Sequence, residues 1–143
     1  MSKRPKKILV VDDSPVSQKI TNKFLGAHQY DVISAWDAEE CFKKVSEERP
    51  DAILLDVILP DGDGKDIALK LNQNPLTAAI PIIFTTNTVN LENDQGYESF
   101  EIGGRTYRAF AKPLHNQKLL SVLRKEINRS LFGGELSPKI KKQ

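Results

Sequence analysis

Asp51-Ala52-Ile53-Leu54-Leu55-Asp56-Val57-Ile58-Leu59-Pro60-Asp61-Gly62-Asp63-Gly64 is the stretch on which the reading of the fold turns. Its apolar run is too short for a typical helix, is rich in branched side chains and ends abruptly in a carboxylate and a Pro/Gly turn, so it predicts a buried strand. Asp56 then stands at that strand's carboxyl end. In an open parallel sheet this end faces the crevice where ligands bind. Taken alone, an Asp that merely opens a turn explains the residue better, and the rest of the chain has to decide.

Upstream, Ile8-Leu9-Val10-Val11 is a second short apolar run, and it too ends in acids, Asp12-Asp13. Ser14-Pro15 then supplies an N-cap and a first-turn proline, and Val16, Ile20 and Phe24 follow at helical spacing. Tyr30 to Ala35 alternates as a strand. Asp37 caps a helix with Ala38, Cys41, Phe42 and Val45 as its apolar stripe, ended by Arg49-Pro50. Downstream of Asp56, Gly64 opens a helix with Ile67, Ala68 and Leu71 inward, and Asn74-Pro75 stops it. Ile80 to Phe84 is a fourth strand running into Thr85-Thr86-Asn87-Thr88. Leu91 to Ile102 is expected as a poorly amphipathic helix ended by Gly103-Gly104. Tyr107 to Ala111 is a fifth strand closing at Lys112-Pro113, and a last helix spans about Asn116 to Leu131, with Leu119, Leu123, Ile127 and Leu131 inward.

Strands alternating with helices imply an α/β fold: a parallel sheet of five strands, right-handed crossovers and helices on both faces. Its carboxyl edge brings Asp12, Asp13, Asp56, Thr86 and Lys112 within reach of one another. Three converging carboxylates repel unless a cation or protons intervene. An all-oxygen site with room for water suits Mg2+, which also meets phosphate oxygens. An acid that attacks a phosphoryl donor becomes an aspartyl phosphate, with Thr86 and Lys112 chemically suited to the phosphoryl oxygens. Singly, each of the five has a plain structural explanation; together at one edge they argue for a site.

Composition agrees with a single domain. The chain has 143 residues, 39% of them hydrophobic and 28% charged, enough for one core and too few for two. No apolar run approaches the roughly 20 residues needed to span a membrane. The basic start leads into acids rather than a signal peptide, and the one cysteine, Cys41, cannot form an intramolecular disulfide, so a cytoplasmic setting is expected. The N-terminal arm, residues 1–7, carries +4 and the C-terminal tail, residues 133–143, carries +2, leaving the 8–132 body at −4. Both tails are expected to be solvated ends rather than nucleic-acid arms, since no basic and aromatic interleaving supports the latter. They should leave the sheet edge opposite Asp56. His28 and His115 lack metal-ligand spacing and are expected at the surface, and Trp36 partly exposed.

From Ile8 to about Leu131 the chain resembles response-regulator receiver domains, the CheY-like module of two-component signalling typified by the chemotaxis response regulator. The signatures are Ile8-Leu9-Val10-Val11-Asp12-Asp13-Ser14, Leu54-Leu55-Asp56 with Pro60 and Asp63-Gly64, Ile80-Pro81-Ile82-Ile83-Phe84-Thr85-Thr86, and Lys112-Pro113. The resemblance implies the flavodoxin-like, doubly wound strand order 2-1-3-4-5, for which a member of this family is a standard example. It implies that Asp56 accepts a phosphoryl group from a sensor histidine kinase or histidine phosphotransfer protein. Asp13 and Asp56 would ligate Mg2+ through their side chains, Ile58 through its backbone carbonyl and Asp12 largely through water. Lys112 would pair with the phosphoryl group, Thr86 would move toward it, and the Lys112-Pro113 bond would be cis.

The chain departs from the family pattern in three places. The segment between Thr86 and Lys112 is longer than usual and holds Gly96, Gly103 and Gly104; Asn87 stands where a small residue is common; and Ala109 occupies the aromatic switch position. Tyr107, two residues away on the same face, either substitutes for that aromatic or packs into the core. The expected function is a single-domain response regulator, a phosphoacceptor rather than an enzyme, acting through protein contacts with an unidentified partner, without nucleic acid or membrane. The rival is a degenerate receiver serving as a constitutive interaction module. A haloacid-dehalogenase-type phosphatase is disfavoured because Ile58 stands where that family has its second acid. Three acids at the strand tips disfavour a flavin-binding flavodoxin.

Overall fold

The computed structural model describes residues 4–87, 98–112 and 117–140, with side chains through 130 in the last segment. Five strands, β1 (Lys7–Val11), β2 (Asp31–Ala35), β3 (Ala52–Asp56), β6 (Ile82–Thr86) and β8 (Arg105–Ala111), run parallel in the order β2-β1-β3-β6-β8, which is the 2-1-3-4-5 order expected. Two short strands, β4 (Ile58–Leu59) and β5 (Gly62–Asp63), pair antiparallel in the loop after β3.

The expected helix over Leu91 to Ile102 is corrected where the chain is described: Glu98–Ile102 is a sixth strand, β7, antiparallel to β8 at the sheet edge. Residues 91–97 lie outside the described residues. The physical reason is local. Ser99 and Glu101 alternate with the half-buried Phe100 and Ile102, a period of two. Gly103 and Gly104 adopt φ of 59° and 81°, and Ile102 pairs with Arg105 across them. Positive φ at both central residues is what a two-residue turn between right-twisted strands requires.

The sheet is covered on both faces. Cys41 and Val45 of α2 (Ala38–Glu48) and Ile67, Ala68 and Leu71 of α3 (Gly64–Gln73) pack on Leu9, Val11, Ile53, Leu55 and Phe84. Leu25 of α1 (Pro15–Ala27) and Leu119, Leu123 and Ile127 of α4 (Gln117–Ile140) pack on Ile8, Val10, Leu54 and Ile83. All five residues of β3 are buried, the consequence of burial from both sides. The helix α4 continues to Ile140, past the Leu131 end predicted from its spacing and into residues assigned to the tail.

The face that α1 turns to the sheet is not the one Val16 and Ile20 mark. Val16 is 68% exposed and Ile20 37%, whereas Gln18, Thr21 and Leu25 face the sheet. Three carbonyls at the ends of β1 and β2 converge there, and the two N–H groups of the Gln18 amide are shared among them: Nε2 stands 3.0 to 3.1 Å from the carbonyl oxygens of Val10, Asp12 and Ala35. Ser34 donates in turn to Gln18 Oε1 at 2.9 Å. Tyr107 is buried in the core, edge-on to Phe84 at 5.4 Å between ring centroids, and Ala109 is buried between Phe84 and Glu98 in the ladder.

Candidate functional site

Register alone assembles the site. Val11 pairs with Leu55, so Asp12 emerges beside Asp56. Asp56 pairs with Thr85, and Thr86 pairs with Ala111, so Thr86 and Lys112 close the other side. Two backbone bonds anchor the rims: Asp12 N–H donates to the Ala35 carbonyl and Lys112 N–H to the Thr86 carbonyl, both at 3.0 Å.

The charges are paired at short range. Lys112 Nζ lies 2.8 Å from Asp56 Oδ2 and 3.0 Å from Asp12 Oδ2, with all three side chains almost wholly removed from solvent. Burial pushes the Asp56 carboxyl up and outweighs the lowering by the Lys112 ammonium and the Ile58 N–H; the Asp12 charge adds to the rise. The Lys112 ammonium is also pushed up. Burial acts against its charge, but its bonds to Asp56 and Asp12 prevail. One ammonium thus serves two buried carboxylates, and a third, on exposed Asp13, completes a group whose oxygens lie within 4.8 Å of one another. These are hard oxygen donors with one side open to solvent, the set an Mg2+ ion takes while retaining waters.

Sequence reasoning missed the groups that hold Asp12. Its Oδ1 accepts from Ser14 N–H at 2.9 Å and its Oδ2 from Ser17 Oγ at 2.5 Å. Ser17 and Gln18 follow the Asp12-Asp13-Ser14-Pro15 turn at the start of α1, and polar residues on the inward face of a helix were the available signal. Thr85, buried beside Asp56 in the ladder, was overshadowed by Thr86.

The loop after β3 is built as tightly. Gly64 N–H donates to the Val57 carbonyl at 2.7 Å, and a Cβ on Gly64 would stand 2.2 Å from the Asp56 carbonyl oxygen, so only glycine fits. The loop points the Ile58 side chain outward, 73% exposed. Thr86 is half-buried at the end of β6. His28 is exposed, Trp36 is 41% exposed, and Pro113 and His115 lie outside the described residues.

The model of the response regulator receiver domain matches residues 8–124. The chain belongs to the receiver-domain family. It is 35% identical over 125 residues to the alkaline phosphatase synthesis transcriptional regulatory protein PhoP of Bacillus subtilis, covering 84% of this chain and 49% of PhoP. It is 32% identical over 127 residues to protein PilH of Pseudomonas aeruginosa, covering 89% of this chain and 98% of PilH. The chain therefore spans about half the length of PhoP and nearly all of PilH. Among solved structures, a response regulator from Chloroflexus aurantiacus is similar at a TM-score of 0.71 and 26% identity, over 87% of this chain and 99% of that one. The receiver domain of the sensor histidine kinase PA1611 from Pseudomonas aeruginosa, which has a magnesium ion coordinated in its active-site cleft, is similar at 0.69 and 26%, over 87% and 98%. Receiver domains carry Mg2+ at this acidic edge, and the three carboxylates here offer the donors it takes. Among the described residues no helix is long and apolar enough to cross a membrane.

Proposed function

We propose that this receiver domain accepts a phosphoryl group on Asp56 from a phosphohistidine of a sensor histidine kinase or histidine phosphotransfer protein, and signals through protein contacts that depend on that modification. The observation that carries the reading is Lys112 Nζ at 2.8 Å from Asp56 Oδ2 beside the three-carboxylate group. An Asp56 oxygen forms the new P–O bond while the P–N bond of the donor breaks and its electron pair returns to the imidazole nitrogen. Asp13, Asp56, the Ile58 carbonyl and, through water, Asp12 would hold Mg2+, which would supply positive charge to the phosphoryl oxygens. Lys112 follows the incoming charge, because the phosphorylated side chain carries about −1.5 to −2 where the Asp56 carboxylate carried −1. The Thr86 hydroxyl completes the oxygen contacts.

Ala109 leaves no aromatic side chain to rotate at the usual switch position, so the modification biases the ends of β6 and β8 without an aromatic lever. The test is intact-protein mass spectrometry after incubation with acetyl phosphate, with and without Mg2+, using Asp56→Asn as control. A labile, Mg2+-dependent adduct absent from the variant is expected. Its absence with both acetyl phosphate and a phosphohistidine donor would leave a degenerate receiver that works by constitutive contacts.

A further inference from the structure

We propose that Asp61 is a positioning residue for the cation site: by tying the tip of the β3–α3 loop to the amino end of α2, it holds the Ile58 carbonyl where Mg2+ can use it. The proposal rests on the reading of Asp12, Asp13, Asp56 and Ile58 as the ligands. Asp61 Oδ1 accepts from Ala38 N–H at 2.7 Å and Oδ2 from Glu39 N–H at 3.2 Å, so one carboxylate spans two free donors of the first turn of α2. Those donors, Ala38 first, hold the Asp61 carboxyl below its ordinary range, so the tie is ionic at neutral pH.

Asp61 is not the N-cap of the helix. Asp37 holds that place and accepts from Glu40 N–H at 2.8 Å, and the Glu40 carboxylate reaches back to Trp36 N–H at 2.7 Å, one residue before the cap. The loop, by contrast, has little else at its tip. Its base is closed by Gly64 N–H on the Val57 carbonyl, and its arms by the two-residue ladder of Ile58–Leu59 with Gly62–Asp63. Leu59 is buried but Ile58 is 73% exposed, so its own side chain does not pack, and its hold besides the ladder is the N–H bond to Asp56 Oδ1 at 3.2 Å, which leaves the carbonyl on the far side to be placed by the loop. Without the tie, ordering that carbonyl falls to the cation, and the entropy of doing so is subtracted from its affinity.

The test is calorimetric titration of Mg2+ into the full chain, comparing wild type with Asp61→Ala, Asp61→Asn, Asp37→Ala and Asp56→Asn, alongside phosphorylation rates at saturating Mg2+. Asp61→Ala should weaken Mg2+ about tenfold, the usual size for an outer partner of a metal ligand, with Asp61→Asn falling between it and wild type. Asp37→Ala damages the same helix end but leaves the tie, and should bind Mg2+ as wild type does. The phosphorylation rate of Asp61→Ala should recover once Mg2+ is saturating. Wild-type affinity in Asp61→Ala, or an equal loss in Asp37→Ala, would overturn the inference while leaving the metal reading intact. A wild type that binds no Mg2+, or an Asp56→Asn variant that binds it equally well, would overturn both.

Discussion

Two connections at the carboxyl edge of one sheet have opposite characters. From Asp56 to Gly64 the chain is held atom against atom: Gly64 admits no Cβ, Asp56 Oδ1 accepts from Ile58 N–H at 3.2 Å, and Asp61 grips α2. The approach to Lys112 is a hairpin, β7 and β8, held from outside by side chains. Arg105 donates to Asn72 Oδ1 at 3.0 Å and to the Ala78 carbonyl at 2.7 Å, and Lys65 stands 4.8 Å from the centre of the Phe100 ring. The first connection places groups that, on the proposed function, meet a cation and a phosphoryl group within tenths of an ångström. The second needs only to deliver Lys112, so strand can replace helix in Glu98–Ile102 without loss of the site.

That contrast is broken most directly at Lys112. Lys112→Met leaves the Asp12 and Asp56 carboxylates buried without their cation, which should cost about 3 kcal/mol or more in the metal-free protein. Chemical denaturation in EDTA measures it, and repetition in saturating Mg2+ should recover part of the loss, because the ion supplies replacement charge. A loss unchanged by Mg2+ would mean that Lys112 acts on the fold by packing alone.

The glycines sharpen the same comparison. Gly64→Ala sets a methyl against the Asp56 backbone, which cannot yield without moving the acceptor residue, and should cost about 2 to 3 kcal/mol and abolish measurable Mg2+ binding. Gly103→Ala in the hairpin meets only the end of the Leu69 side chain, at 2.8 Å, and adds left-handed strain at φ 59°. Its cost should be nearer 1 kcal/mol, with Mg2+ affinity unchanged. Equal loss of Mg2+ binding in both would erase the distinction between a precise and a permissive connection.

The same difference explains what could be read in advance. Asp12, Asp56, Thr86 and Lys112 were legible because each ends or directly follows a short apolar run, so recognising the strands locates the site. The hairpin was not, although Phe100 and Ile102 alternate with Ser99 and Glu101: five residues of alternation weigh little against the longer helical reading, and Gly103-Gly104 suits a helix end as well as a hairpin turn. The buried face of α1 was not legible for a different reason. Val16 and Ile20 follow the usual apolar pattern, but the carbonyls of Val10, Asp12 and Ala35 converge beneath the helix, and one buried glutamine that bonds to them outweighs two exposed aliphatic side chains.

On the hairpin side, Arg105→Ala removes two hydrogen bonds that fasten β8 to α3 and to the turn after it. The expected cost is about 1.5 kcal/mol, and Mg2+ affinity and phosphorylation should stay at wild-type values. Hydrogen exchange should locate the loosening in 98–105 rather than at the acid cluster.

The smallest effect expected is a gain. Burial and the neighbouring Asp12 charge raise the Asp56 carboxyl above its ordinary value, so the folded metal-free protein disfavours the ionised form. The stability associated with Asp56 is full below the ordinary carboxylate value and is lost as pH rises through the raised folded value. Asp56→Asn has no such dependence and keeps an oxygen for Lys112. In EDTA at pH 7 the variant should be more stable than wild type by about 1 kcal/mol, and this advantage should vanish on acidification below about pH 4, where both side chains are neutral. Urea midpoints at the two pH values test the sign. Adding Mg2+ at pH 7 should reverse the order, because the ion bonds the wild-type carboxylate and offsets the burial cost that destabilises it in the empty site. A variant less stable than wild type in EDTA at pH 7 would show that the Lys112 pairing outweighs burial, and that the acid edge is held together without the cation it is built to receive.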